Sequence, residues 1–375
     1  MSVEFLWRIP VHGDGRRAHT AHSRGEWNQL QPGQTPKRVA PQFNDAKFAY
    51  YDYIEQVAKA ADIVGFHGAL IPAFPHTEEP WVLASALARQ TKNLRLLIAI
   101  QPWFINPAYA SQMAASLQRL SNGRVEWNVI SGGGGSQQKS YGDFINHDQR
   151  YARTSEFLEF VKGYSHHAPF DYDGNFFRVE QGGLHYPMNQ YPLPRLWLAG
   201  ASEAALHVAG QHADIHLTWA EPVAQQKQVI EHAKAFFAQY YPDKKVRFGI
   251  RIDILARPTY EQAVQELKQM HESVDLQQQG FARGDSESVG AKRQKALSEG
   301  KQFDDLFISA NFWAGMSNVR GGPNGILVGS YEQVAERLQA YIEIGVEHFI
   351  LASNPHLEEA YRVGEEVLPL LKSVP

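Results

Sequence analysis

Ala199-Gly200-Ala201-Ser202 has the composition of an anion-binding corner. Glycine lets a ligand approach the backbone closely, and the helix predicted to follow over 203–210 starts with free N–H groups that suit a phosphate. Taken alone, Ser202 is more simply the cap of that helix. His147 and Tyr151 stand four residues apart on a predicted helix, so they share a face and can either meet a flat ligand or pack half-buried. His12 and His356 carry side chains that exchange protons near neutral pH, although a lone histidine is more often structural. The glycines at 132–135 look like a phosphate loop only superficially, because no Gly-Lys-Ser/Thr follows them, and they read as a flexible turn. The chain has no Cys, which excludes disulfides, thiolate metal sites and a cysteine nucleophile; no metal site is expected.

The elements that must position these residues alternate between short β-branched or aromatic runs and longer amphipathic stretches. Strands are predicted at 3–9, 68–72, 94–100, 124–130, 195–199, 214–218, 247–255 and 347–351. About eight such strands with intervening helices predict a single (β/α)8 TIM barrel with insertions in its βα loops, spanning 1–375. An open doubly wound sheet is disfavoured because no G-x-G-x-x-G follows the first strand. Capping boxes at Ser330-Tyr331-Glu332-Gln333 and Thr259-Tyr260-Glu261-Gln262 start two helices, with Gly345 ending the first. Asn354-Pro355 reads as an N-cap followed by a helix-starting proline. Two connections exceed what a minimal barrel needs: a polar one over 12–45, and an insertion at about 278–325 that reads as a partly mobile lid. The net charge of -4 argues against nucleic acid or an acidic membrane as partner. Without a signal peptide or a membrane-length apolar run, a cytoplasmic location is expected.

Several strand-end motifs resemble one family. Trp7-Arg8-Ile9-Pro10-Val11-His12-Gly13-Asp14-Gly15 is similar to the opening of the FMNH2-dependent alkanesulfonate monooxygenases, within the bacterial luciferase superfamily. Leu217-Thr218-Trp219-Ala220-Glu221-Pro222 and Phe248-Gly249-Ile250-Arg251 resemble the ends of their sixth and seventh strands. Asn311-Phe312-Trp313-Ala314-Gly315, leading to Val319-Arg320-Gly321-Gly322, resembles the lid region. Pro355-His356-Leu357-Glu358-Glu359-Ala360-Tyr361-Arg362 resembles the segment after the last strand, and His147-Asp148-Gln149-Arg150-Tyr151 the family's H-D-x-R-Y.

The resemblance implies FMN as cofactor, used as FMNH2 supplied by a separate NAD(P)H-dependent flavin reductase, with O2 as co-substrate. The implied reaction cleaves the carbon–sulfur bond of an organosulfonate to sulfite and an aldehyde, in a homo-oligomer (dimer or tetramer). It assigns Asn128, Ser131, His147, Tyr151, Ala201 and Ser202 to the flavin, and Thr77 to a further cofactor-site position. It places Arg251 and Arg320 on the sulfonate anion, for which fixed guanidinium geometry is suited, and His12, Trp219 and His356 near ring and substrate. Either arginine could otherwise pair with a surface carboxylate.

Three positions depart from the family. Thr77 replaces a cysteine, Asp253 a histidine and Asn354 a tyrosine. An Asp beside Arg251 partly neutralises the positive site and offers an acceptor to hydroxyls, which points to a hydroxylated or sugar sulfonate. The rival expectations are a luciferase-like monooxygenase for a non-sulfonate substrate, an F420-dependent oxidoreductase, and a flavin-binding protein without turnover.

Overall fold

In a computed structural model, the described residues are 3–11, 50–74, 77–272, 287–319 and 323–372. Eight parallel strands close a ring among them: β1 (Glu4–Arg8), β2 (Gly68–Ile71), β3 (Arg95–Ile100), β4 (Val125–Val129), β5 (Arg195–Ala199), β6 (Ile215–Trp219), β7 (Arg247–Arg257) and β8 (His348–Ala352). Pairing of β7 with both β6 and β8 closes the circle, so all eight predicted strands form and the (β/α)8 barrel stands. Side chains alternate between the two faces of each strand, which puts one set inside the ring and one under the helices. Leu6, Leu70, Leu97, Trp197, Ile215, Leu217 and Ile350 pack together as the barrel's inner layer. A much larger apolar cluster fills the space between ring and helices.

Two residues earlier along the strands, one layer below this inner layer, the inward positions are charged. Glu4 accepts from Arg95 at 2.6 Å and from Arg195 at 2.7 Å. Glu126 accepts from Arg195 at 2.6 Å and from the Trp197 indole at 2.7 Å, and lies 2.8 Å from Arg95. This network closes the N-terminal end of the barrel, the end associated with stability in such folds.

β7 has 11 residues where β6 has 5, so its distal half outruns its neighbour. A further parallel strand, Ile326–Ser330, covers that half from Asp253 to Arg257, and pairs on its other side with Phe312–Trp313, which pairs with Phe307–Ser309. The segment expected as a partly mobile lid is therefore built into the sheet where it is described. Its helix Val289–Ser298 is tied to the end of β6 by Gln294, which donates to the Ala220 carbonyl at 3.1 Å, and by the 2.7 Å Arg293–Glu221 ion pair. A small hairpin of Phe170–Asp173 and Arg178–Gly182, also not anticipated, stands apart from the barrel.

Local signals fare unevenly. Ser330 and Gln333 form the expected reciprocal capping box, and the Thr259 hydroxyl accepts from the Gln262 amide at 3.3 Å. Asn354 is not an N-cap: Pro355 takes that place, after a cis peptide bond, and the helix runs over His356–Arg362. The glycine turn after β4 is held rather than loose. Gly134 N–H donates to the Gln138 side chain at 3.0 Å, and the Gly133 carbonyl accepts from Glu287 N–H at 2.8 Å. No helix among the described residues is long and apolar enough to cross a membrane.

Candidate active site

The C-terminal ends of β4 to β8 gather most of the predicted residues. On β7, a Cβ at Gly249 would meet Ile215 and His348, so this position faces the barrel interior. Two-residue periodicity then turns Arg251 and Asp253 inward as well. They form a 2.5 Å ion pair and are 5% and 1% exposed, so the pair is cut off from solvent. Arg251 Nη2 has no hydrogen-bond partner among the described residues. Burial pushes the guanidinium down to about 9, which is still above neutral pH, so the cation persists there. Register sets Trp219 beside Arg251, and Ala352 beside Asp253. His356, past the end of β8, is buried with its ring edge-on to Trp7 at 6.4 Å. Asn354 is half-buried in the connection between them.

A second group forms around the end of β5. Helix His147–His166 starts with a reciprocal Asn146/Gln149 capping box, which fixes its first turn. That turn stacks His147 near Tyr151, with ring centroids 4.9 Å apart. The Tyr151 hydroxyl is hydrogen-bonded to Ser202; burial raises its pKa and that bond opposes the shift. Gly200 has φ 154°, and a Cβ there would lie 2.5 Å from Ala205 Cβ and 3.0 Å from the Tyr151 hydroxyl, so only glycine fits. Ser202 caps the Glu203–His212 helix by accepting from Ala205 N–H at 3.3 Å. The cap and the meeting with Tyr151 thus coexist.

At the end of β4, Asn128 Oδ1 and Ser131 Oγ are buried without a hydrogen-bond partner among the described residues, although such atoms are rarely left unpaired. Together with the Tyr151 and Ser202 hydroxyls and the bare Gly200 backbone, they suit a ligand with both a polar ring and an anionic tail. FMN is such a ligand. Thr77 does not join either group through its proton: its hydroxyl donates to the Phe74 carbonyl at 3.2 Å in a local turn. His12 and Arg320 lie outside the described residues.

Two participants escaped the sequence reading. Arg150, inside the H-D-x-R-Y stretch, forms an ion pair with Glu287, and the Arg150 contact holds the Glu287 carboxyl below its usual range. This fastens the insertion to the His147–His166 helix. His216 is 2.7 Å from the Gly200 carbonyl through Nε2; a polar residue amid Ile215 and Leu217 was the available signal.

The fold is shared with solved structures across nearly the whole chain. A riboflavin lyase (RcaE), solved with modified FMN and riboflavin, matches at 18% identity and a TM-score of 0.72, covering 99% of this chain and 91% of that one. The EDTA monooxygenase (EmoA) from Chelativorans sp. BNC1 matches at 16% identity and 0.70, covering 99% and 93%. An F420-dependent secondary alcohol dehydrogenase matches at 17% identity and 0.66, covering 100% of both chains. At these identities the likeness is one of fold. The family model described as luciferase-like monooxygenase matches residues 28–348, most of the chain. This protein belongs to the luciferase-like monooxygenase family.

Proposed function

We propose that this protein is an FMNH2- and O2-dependent monooxygenase that cleaves the carbon–sulfur bond of a polar, hydroxylated or sugar sulfonate. Sulfite and an aldehyde are the products, and a separate NAD(P)H-dependent reductase supplies the reduced flavin. One oxygen atom of O2 ends in the aldehyde and the other in water, with two electrons from FMNH2. One observation carries the substrate reading: a buried guanidinium, Arg251, faces the barrel mouth with Nη2 open and a carboxylate, Asp253, at its side.

When bound, reduced FMN supplies the electrons that activate O2, and the protein's work is to position and to shield. Asn128 and Ser131 suit the ring, while His147, Tyr151, Ala201 and Ser202 suit the ribityl phosphate end, with Thr77 at the margin. Arg251 is the fixed donor to a sulfonate, Arg320 its counterpart from the insertion, and Trp219 and Asn354 border the substrate. Asp253 partly neutralises Arg251 and can accept from a substrate hydroxyl, which favours polyhydroxylated over plain alkyl sulfonates. His356 and His12 are the groups suited to carry protons near neutral pH. The whole chain acts as one barrel, with residues 278–325 as the insertion over its mouth and identical subunits associating as a dimer or tetramer.

The Arg251–Asp253 pair also favours a second reading, because a neutral pair suits an uncharged substrate. A non-sulfonate monooxygenase or an F420-dependent oxidoreductase would follow from it. Sulfite release with a flavin reductase, NAD(P)H and O2, assayed across unsubstituted and hydroxylated sulfonates, separates these readings. Preferential release from hydroxylated sulfonates is expected. Equal turnover of plain alkanesulfonates overturns the polar-substrate reading. Oxygen-independent hydride transfer to or from F420 overturns the monooxygenase.

A further inference from the structure

His216 sits on the outer face of β6, between Ile215 and Leu217, which face the inner layer. It is 2% exposed, and the rings of Phe237 and Phe248 flank it edge-on at 5.9 and 6.2 Å. An imidazole in such a place is costly unless it makes a specific bond. Its Nε2 is 2.7 Å from the Gly200 carbonyl. A carbonyl only accepts, so Nε2 carries the proton, and burial lowers the ring's pKa and keeps it neutral. Nδ1 has no hydrogen-bond partner among the described residues, so the Gly200 bond is the polar contact that explains the residue.

A half-open cleft of about 260 Å³ beside this corner is lined by Ala201, Leu206, His216, Glu221, Val229 and Arg293, among others. Ala201 thus borders a cleft on that side, where side-chain packing constrains the corner less than a filled core would. On its other side, the corner meets Tyr151 through Gly200 and Ser202. We propose that His216 is a positioning residue: by holding the Gly200 carbonyl from the adjacent strand, it sets the conformation of the Gly200-Ala201-Ser202 corner and so the affinity for the phosphate of FMN. This rests on the flavin reading given above. It extends that reading to a residue that touches no ligand and acts through the backbone.

The test compares FMN with riboflavin, which has the same ring and no phosphate. Dissociation constants are measured by flavin fluorescence quenching for the unmodified protein, His216→Phe and His216→Gln, with thermal melting of each. His216→Phe should weaken FMN about tenfold, the effect of one lost hydrogen bond that leaves a buried carbonyl unpaired, and leave riboflavin unchanged. His216→Gln keeps a side-chain N–H and should recover most of the FMN affinity. Equal FMN affinity in all three proteins, or parallel losses for FMN and riboflavin, overturns the positioning role. Should His216→Phe not fold, 15N NMR of the unmodified protein replaces it. The His216 Nε2–H signal must then move on adding FMN and stay in place with riboflavin; the same response to both overturns the role. An unmodified protein that binds no FMN sinks the flavin reading and this inference together, whereas FMN binding that ignores His216 sinks only the latter.

Discussion

Arg251 and Asp253 project from one strand, two residues apart, and close a 2.5 Å ion pair inside the barrel mouth. Both are buried, and each offsets the other's charge. On the proposed function, a substrate anion approaching Arg251 would meet a guanidinium already partly neutralised, and the pair would then shape selectivity in a way neither residue could alone.

Asp253→Asn keeps the shape and removes the negative charge. Plain alkanesulfonates should gain in kcat/KM relative to hydroxylated ones by about tenfold, since the full charge of Arg251 becomes available for a charge-assisted bond. Stability should fall by about 3 kcal/mol because a buried cation loses its partner. Sulfite-release kinetics and urea denaturation measure the two effects; an unchanged substrate ratio rejects the role of Asp253 in selectivity.

Ser202→Asp separates capping from ligand binding. Aspartate caps a helix as well as serine does, so the melting temperature should hold or rise slightly. A carboxylate beside a bound phosphate should weaken FMN by more than tenfold. Retained FMN affinity would leave Ser202 as a helix cap and nothing more.

Glu126→Gln tests the charged floor of the barrel. Glu126 is 2% exposed and serves Arg95, Arg195 and Trp197, so losing its charge leaves both guanidinium groups to share Glu4 alone. A loss of about 1–3 kcal/mol is expected by chemical denaturation, the range for hydrogen bonds to charged groups. FMN affinity of the folded fraction should stay within about twofold, because this end of the barrel is remote from the proposed site. A selective loss of FMN binding with normal stability would contradict that division.

His212 provides a pH signature. Burial, and then the nearby Lys162 and Lys244 charges, push its imidazole down to about 3. Its Nδ1 lies 3.1 Å from the Lys162 ammonium and its Nε2 2.8 Å from the Ser155 hydroxyl. The unfolded chain takes up a proton near the ordinary histidine pKa and the folded one does not. The contribution is thus complete above about 6.5 and is lost progressively as pH falls toward the folded value. Denaturant melts at pH 7, 5.5 and 4.5 should show a shallower decline for His212→Asn than for the unmodified protein. Coincident slopes would show that His212 does not control this window.

The barrel was legible because each ring strand is a short stretch rich in β-branched, aromatic or other apolar residues, alternating with longer amphipathic stretches, a local property. The Arg251–Asp253 encounter was legible too, since alternate residues of a strand share a face. The charged floor was not: Glu4, Arg95, Glu126 and Arg195 are far apart in sequence, and only closure of the ring makes them neighbours. Strand Ile326–Ser330 was missed for a related reason. It exists to pair the overhanging half of β7, and nothing within its own five residues announces that partner. The mooring of Glu287 at Arg150 likewise depends on tertiary contact across 137 positions.

The charged floor has a further consequence for traffic. With Glu4, Glu126 and their arginines locked below a layer of packed apolar side chains, the barrel is a cup and not a tunnel. Whatever reaches Arg251 must come and go by the same doorway. Departing molecules and the next arrivals would then share one path, past the rim where the segment moored at Glu287 and Arg293 stands.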